Sequence, residues 1–293
     1  DINMIPSAQQ LIATVDDLVS LPEICTKITQ LVEDPDSSIE EIAQVISQDP
    51  SLTIKVLRLS NSALYGLVGE VDTVSRAITV LGTRQIRDLV LATSAVNCFK
   101  DMANSLVSME DFWSHSILTG LTANQITKYC GLRNGEGLFV AGLLHDIGQL
   151  ILFNQLPDLS KQALELSMQA DVNSMHIAEK KIIGYDHMQV GYLLAEKWML
   201  PTYLQYAIGY HHEPANAPDY IQEVSIINIA NSIAVMAELH TDALEDAPVI
   251  DDFAEQQLGL TTEVYKKIIE NIADELAEID QLLLITFRLD PST

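Results

Sequence analysis

Residues 140–148 read Val-Ala-Gly-Leu-Leu-His-Asp-Ile-Gly and lie in the most apolar stretch of the chain, residues 137–153. The apolar spacing predicts a buried helix, in which two adjacent polar side chains, His145 and Asp146, are costly unless they are paired or bound to a metal ion. Neighbouring helical residues point about 100° apart, so both side chains could grip one metal, or the aspartate could bridge two metals. For this motif taken alone, a His-Asp pair satisfied by hydrogen bonds in the core is the competing interpretation.

Helical spacing of apolar residues extends over nearly the whole chain, and no sustained two-residue alternation predicts a sheet. We therefore expect an all-α protein. The polar segment 100–107 separates two sets of helices, which predicts an N-terminal helical lobe, residues 1–104, and a C-terminal helical bundle with a helical extension, residues 105–293. Capping residues, prolines and glycines predict helices at 39–48, 50–60, 74–81, 83–99, 109–130, 136–154, 158–170, 174–183, 187–198, 201–211, 220–239 and 262–285.

The chain is strongly acidic, with 41 Asp and Glu residues against 16 Lys and Arg and a formal net charge of −25. Such a surface repels nucleic acid and anionic membranes, so we expect neither as a partner. Residues 198–265 contain no Lys or Arg and 11 acidic residues. A solvated acidic face explains this stretch, and a surface for a basic partner is the alternative.

Residues 137–153 also bear on the question of a membrane span. The uninterrupted apolar runs are shorter than the roughly 18 residues that a span needs, and this stretch is broken by His145 and Asp146. The sequence therefore predicts no transmembrane helix.

The three cysteines, Cys25, Cys98 and Cys130, are far apart and form no CxxC pair. Their apolar helical surroundings predict buried free thiols rather than a zinc or redox site. This pattern is typical of the reducing cytoplasm, where we expect the protein to act.

Five of the seven histidines form, with one aspartate, a candidate metal-binding series: His115, His145, Asp146, His187, His211 and His212. Imidazole and carboxylate suit iron, manganese and zinc, and the helices of a bundle can direct such ligands to one point. A core histidine with a hydrogen-bond partner is the alternative for His115, and a half-exposed helix-capping pair is the alternative for His211 and His212. We expect Glu179 to support the site by contacting a metal-binding residue rather than the metal itself. We expect His176 and His240 to lie on the surface.

Several short motifs accompany the histidines: Leu21-Pro22, Asp49-Pro50-Ser51-Leu52, Leu59-Ser60-Asn61-Ser62-Ala63-Leu64-Tyr65-Gly66, Ala77-Ile78, Leu81-Gly82, Trp198 and Leu200-Pro201. The order of the histidines resembles that of the HD superfamily of metal-dependent phosphohydrolases. With the other motifs, the chain more closely resembles a bacterial HDOD domain over about residues 16–240. The resemblance implies a two-lobed helical fold with an HD-like C-terminal bundle. It also implies a cytoplasmic role in bacterial signal transduction, often near cyclic-dinucleotide pathways, through protein contacts more than turnover.

Two departures from the HD hydrolases concern the site. Asn231 stands where those enzymes place a late metal-binding aspartate, and a neutral amide binds a transition metal more weakly than a carboxylate. Residues 214–218, which follow Glu213, lack the Gly-Tyr-Pro element of the cyclic-di-GMP phosphodiesterases. The cations nearest to the site in sequence are Lys180, Lys181 and Lys197, and folding could bring Arg84, Arg87 or Arg133 closer.

Two functions follow from this sequence. The first is a regulatory module that binds protein partners, a nucleotide or another phosphorylated small molecule through a degenerate HD-type pocket. The alternative is a phosphohydrolase or phosphodiesterase in which the six residues of the series hold one or two iron, manganese or zinc ions. In that enzyme Asp146 would bridge the metals, and a histidine such as His145 would protonate the leaving oxygen.

Overall fold

Capping side chains define helix starts in the computed structural model, as the sequence predicts. Ser38 and Glu41 form a capping box, in which Ser38 Oγ accepts from Glu41 N at 3.2 Å and Glu41 Oε2 accepts from Ser38 N at 2.8 Å. Asp49 Oδ1 accepts from Leu52 N at 3.0 Å, next to Pro50 in the first turn. The structure describes residues 5–15, 19–62, 64–100, 102, 105–132, 137–169, 174–238, 250–261 and 263–272.

These residues form α-helices and one short 3₁₀ helix, Pro214–Asn216, and no strand occurs within the described ranges. The expected all-α fold is therefore confirmed. The first helices are α1 (Ala8–Thr14), α2 (Glu23–Glu33), α3 (Ile39–Ser47), α4 (Pro50–Ser60), α5 (Val74–Leu81) and α6 (Thr83–Phe99). The others are α7 (Met109–Cys130), α8 (Gly137–Leu144), α9 (Ile147–Gln155), α10 (Pro157–Ser167), α11 (Met175–Ile182), α12 (His187–Lys197), α13 (Thr202–Tyr210), α14 (Ile221–Glu238), α15 (Asp252–Leu258) and α16 (263–272).

The described chain divides into two compact units, of which the smaller contains residues 19–100. Its helices α2 to α6 pack around buried Ile28, Ile46 and Ile86. Asn61, at the end of α4, clamps the following loop: its Nδ2 donates to Val71 O at 2.8 Å, and its Oδ1 accepts from Val71 N at 2.7 Å. This side chain thereby supplies hydrogen bonds to a segment that has no regular partner.

The larger unit contains the described parts of residues 5–15 and 102–272. Residues 5–15, which the sequence places in the N-terminal lobe, belong to this unit: α1 contacts α12, and Lys197 Nζ donates to Ile12 O at 3.2 Å. At the other end, α16 covers only part of the predicted helix 262–285, whose remainder lies outside the described residues. Ile268 and Ile272 of α16 are buried.

Pairs of glycines bring the helices of the bundle together. A Cβ added to Gly142 would lie 2.5 Å from Gly120 Cα, so α8 and α7 approach at backbone distance. A Cβ on Gly148 would collide with His187 O and come within 2.7 Å of Gly191 N, so α9 and α12 are equally close. Glycine has no Cβ, and this permits both close approaches.

The structure corrects the prediction of one helix over residues 136–154. Helix α8 ends at Leu144 and α9 begins at Ile147, with His145 and Asp146 in a turn between them. His145 Nδ1 lies 2.7 Å from Gly142 O, a carbonyl of the last turn of α8. Such a side-chain bond competes with continued helical hydrogen bonding, which explains why the helix breaks here.

Residues 137–155 are long and apolar enough to cross a bilayer by composition, and 89% of this window is buried inside the protein. A core segment has the same composition, and its burial accounts for the apolar character.

The burial of the cysteines differs from the expectation that all three are buried free thiols. All three are free, but only Cys25 is buried, whereas Cys98 and Cys130 are half-buried.

Candidate metal centre

Asp146 is the point at which the predicted histidines meet. Its Oδ2 lies 3.2 Å from His145 Nε2 and 4.0 Å from His115 Nε2. Its Oδ1 lies 3.3 Å from His187 Nε2 and 3.4 Å from His211 Nε2. The turn between α8 and α9 thus presents one carboxylate to rings that come from three other parts of the bundle.

The local structure directs each ring. His145 lies in the same turn as Asp146, His187 is the first residue of α12, and His211 directly follows α13. His115 lies within α7. Three of these positions are at helix ends, where a side chain can leave the helix surface and reach a common point.

Hydrogen bonds on the far nitrogen fix the ring orientation. His145 Nδ1 lies 2.7 Å from Gly142 O, and His211 Nδ1 lies 3.0 Å from Ile208 O. A carbonyl oxygen only accepts, so Nδ1 carries the proton in both rings. In the neutral imidazole the lone pair is then on Nε2, the atom that faces Asp146. This arrangement is typical of histidines that bind metal ions.

Glu179 fixes the orientation of the His187 ring from its far nitrogen, as the sequence predicted. Its Oε2 lies 2.6 Å from His187 Nδ1 and accepts from His187 N at 2.9 Å. Both side chains are fully buried. A carboxylate behind the ring fixes its direction and raises its basicity.

His115 interacts with two residues of α14, of which Glu238 was not predicted. Its Nδ1 lies 3.1 Å from Glu238 Oε1, and the Asn231 side chain also interacts with the ring. Asn231 thus contacts a ring of the cluster, at the position suspected from the sequence. Asn228, on the same helix, donates to His211 O at 2.7 Å. The spacing of 228, 231 and 238 on one helix face was the signal that could have found Glu238.

His176 corrects a prediction, because it does not lie apart from the site. Its ring stacks on His212 with the centroids 4.5 Å apart and an interplanar angle of 13°. Ser174 Oγ lies 2.7 Å from His176 Nδ1. His240 lies outside the described residues.

The pKa shifts differ in direction among the members of the cluster. Burial alone would raise the pKa of Asp146, but its interactions with the rings of His145, His211 and His187 outweigh burial and hold this pKa well below its usual range. Burial has the opposite effect on a histidine and lowers the pKa of His211 to about 4. In His187 the carboxylate of Glu179 outweighs burial and raises the pKa to about 9. At neutral pH His187 must therefore release a proton before its Nε2 can bind a cation.

The residues present fit a transition-metal ion. His145 Nε2 and Asp146 Oδ1 are buried and make no hydrogen bond, although both lie near other polar atoms. Such atoms are costly to bury unless something else satisfies them. The candidate ligands form two groups that share Asp146, and the ligand atoms of each group lie within 4.8 Å of one another. The groups are His115, His145 and Asp146, and Asp146, His187, His211 and His212.

The cations named in the sequence analysis are paired, exposed, in the other unit or outside the described residues. Lys180 Nζ lies 3.1 Å from Asp186 Oδ2 and also pairs with Glu213. Lys197 donates to the backbone of α1, and Lys181 is exposed. The arginines lie in the other unit or outside the described residues: Arg84, Arg87 and Arg133.

Solved structures resemble this chain over nearly its full length. An HDOD domain protein with unknown function from Geobacter sulfurreducens is 25% identical with a TM-score of 0.72, and the match covers 95% of this chain and 96% of that one. A "Putative phosphohydrolase" from Shewanella amazonensis SB2B is 26% identical with a TM-score of 0.71, covering 96% and 100%. A "Putative signal transduction protein" from Marinobacter aquaeolei VT8, at 21% identity and a TM-score of 0.73 over 98% and 67%, shares the fold.

Among curated proteins, an uncharacterized protein from Treponema pallidum (strain Nichols) is 26% identical over 222 residues, or 74% of this chain. The chain spans 42% of the length of that relative. The family model of the HDOD domain matches residues 18–214, which is more than half of the chain and includes all six residues of the candidate metal centre. The chain belongs to the HDOD domain family.

Proposed function

We propose that this chain is a regulatory module of bacterial signal transduction, in which the cluster around Asp146 holds a divalent transition metal and the module acts through protein contacts. The observation that carries the proposal is the convergence of four ring nitrogens on one buried carboxylate, with the far nitrogen of each ring already engaged. Such a set of donors, each supported on its far side, is typical of metal sites and supports the proposal.

Burial favours a regulatory role over turnover. His145, His187 and His211 have no exposed surface, and structural metal sites are closed in this way, whereas catalytic sites keep an open position. Phosphate binding also needs cations, and the lysine at the rim, Lys180, is already paired with Asp186 and Glu213. The partners would be proteins of a signalling pathway.

A metal-dependent phosphohydrolase is the second candidate. The observation that favours it is the sharing of Asp146 by both groups of ligands, as in a site where one carboxylate bridges two ions. A bound divalent ion would supply Lewis acidity toward a phosphate ester. In this function His115 and His212, the less buried members of the cluster, would face the substrate.

Elemental analysis of tag-free protein, purified without chelator and after reconstitution, tests the proposal. We expect near-stoichiometric iron, manganese or zinc in the wild type, loss of the metal in Asp146→Ala, and retention in Asp251→Ala. Asp251 is a matched control because it also precedes a helix, where its Oδ1 accepts from Phe253 N and Ala254 N at 3.0 Å. Absence of metal even after reconstitution would overturn the proposed centre. Metal together with hydrolysis of a phosphodiester substrate, lost in Asp146→Ala, would establish the second candidate instead.

A further inference from the structure

Five of the nine tyrosines lie in contact on one part of the bundle. They form what we call the tyrosine patch: Tyr192 on α12, Tyr203, Tyr206 and Tyr210 on α13, and Tyr220 just before α14. Each ring is half-buried, so each keeps part of its surface exposed. None of these side chains takes part in the metal centre.

Tyr206 is the centre of the patch. Its ring lies parallel to Tyr192, with centroids 6.3 Å apart, and meets Tyr210 at 5.9 Å and Tyr220 at 6.1 Å. Tyr203 extends the patch through Tyr220 at 6.4 Å. The rings therefore form a continuous aromatic surface rather than separate core positions.

The backbone beside the patch has an unusual conformation. Among the described residues, Met199 and Tyr220 are the non-glycine residues with positive φ, at 51° and 54°. Glycine is favoured at such positions because a side chain there strains the backbone. Met199, which is 61% exposed, and the half-buried Tyr220 nevertheless carry large side chains there. Backbone strain of this kind clusters at functional sites.

Negative charge surrounds the rings. Glu196 Oε1 accepts from the Tyr192 hydroxyl at 3.1 Å, and the exposed Asp219 accepts from Tyr220 N at 2.8 Å. Residues 198–265, which include four of the five rings, contain no Lys or Arg. A second copy of the chain or a nucleic acid would meet like charge here, whereas a guanidinium group could stack on a ring and pair with a neighbouring carboxylate.

We propose that the tyrosine patch is a docking surface for an arginine-rich segment of a partner protein. Tyrosines supply large, rigid contact area at low entropic cost, which is why they are enriched in interface hot spots. The flanking carboxylates add charge complementarity and steer the approach of a basic segment. The proposal concerns residues outside the metal centre and does not depend on whether that centre binds a metal ion.

A fluorescein-labelled octa-arginine peptide is the probe, and its fluorescence anisotropy is measured with the full chain at about 0.15 M salt, where screening extends over roughly 8 Å. We expect Tyr206→Leu to weaken binding about ten-fold and Tyr206→Phe, which keeps the ring, to stay within about two-fold of the wild type. Tyr129→Leu is the matched control, because Tyr129 is 43% exposed on α7 outside the patch, and it should bind as the wild type does.

Tyr220→Gly is a second variant in case Tyr206→Leu fails to fold: glycine relieves the positive φ at this position, and the change removes a ring that contacts Tyr206. This variant should weaken peptide binding while its thermal midpoint stays near that of the wild type. Equal binding by the wild type, Tyr206→Leu and Tyr220→Gly would overturn the proposal and leave only a general attraction to the acidic surface. Absence of binding, or a dimer in sedimentation that Tyr206→Leu dissociates, would overturn it too.

Discussion

One oxygen of Glu179 accepts two hydrogen bonds from His187, from the backbone N–H at 2.9 Å and from the ring Nδ1–H at 2.6 Å. The same carboxylate thus fixes the start of α12 and the direction of the ring. His187 Nε2 is left 3.3 Å from Asp146 Oδ1. Glu179 therefore links the fold to the candidate metal centre.

Glu179→Gln tests this link, because the amide oxygen can still accept from the backbone while the charge is lost. We expect metal binding to weaken by about ten- to a hundred-fold, as for other partners that support a metal-binding histidine. In the metal-free protein the pKa of His187 should fall from about 9, because the Glu179 carboxylate raises it against the effect of burial. Competition titration with a chelator and NMR of the ring measure both effects. Glu165→Gln, on the exposed side of α10, is the control, and equal affinities in the two variants would contradict the prediction.

Gly148→Ala should destabilise the bundle by about 3 kcal/mol, because the added methyl would meet the backbone of His187 and Gly191 rather than a mobile side chain. Urea unfolding measures the change. Gly209→Ala is the matched helical control, because the nearest atoms that its methyl would meet belong to the half-buried Tyr192 side chain rather than to the backbone, so its cost should be smaller. A free energy of unfolding that changes equally in the two variants would show that the α9–α12 contact is looser than described.

The stack of His176 on His212 predicts that His176 positions a ring of the cluster. Burial lowers the pKa of His176 to about 4, so the ring is neutral at pH 7 and acts by contact rather than charge. His176→Ala should weaken metal binding by about ten-fold, whereas His176→Phe, which keeps a flat ring, should restore most of the affinity. Chelator competition on both variants measures this effect. If alanine and phenylalanine give the same affinity, the stack does not position His212.

The capping box of α3 makes a prediction about pH. Hydrogen bonds from Ser38 lower the pKa of Glu41, so the stabilising effect of this carboxylate is present above its ordinary pKa and is lost as the pH falls through the lowered value. Ser38→Ala should raise the pKa of Glu41 only part of the way toward its ordinary value, because the Oγ hydrogen bond is lost while the backbone N–H at position 38 still donates. Loss of the cap should cost about 1 kcal/mol of stability at neutral pH. An NMR titration of Glu41 and urea unfolding check the two effects. Unchanged stability in Ser38→Ala would contradict the assignment of the cap.

The sequence by itself determined helices α3 to α6, because the signals that start and stop them are local. Ser38, Asp49 and Gly82 act on residues within one turn, and the observed bounds of α3 to α6 follow the predicted ones to within a residue. The six members of the candidate centre were also identifiable, since histidines and an aspartate in apolar surroundings stand out by composition.

Only the tertiary structure decided how these residues meet. The break at His145 depends on a competition between side-chain and backbone hydrogen bonds that apolar spacing does not reveal. His176 reaches His212, and Glu238 reaches His115, through contacts between helices that are distant in sequence. The tyrosine patch likewise joins three separate segments. Helix periodicity is a local property, whereas convergence on Asp146 depends on the packing of whole helices, which glycines such as Gly142 and Gly148 permit.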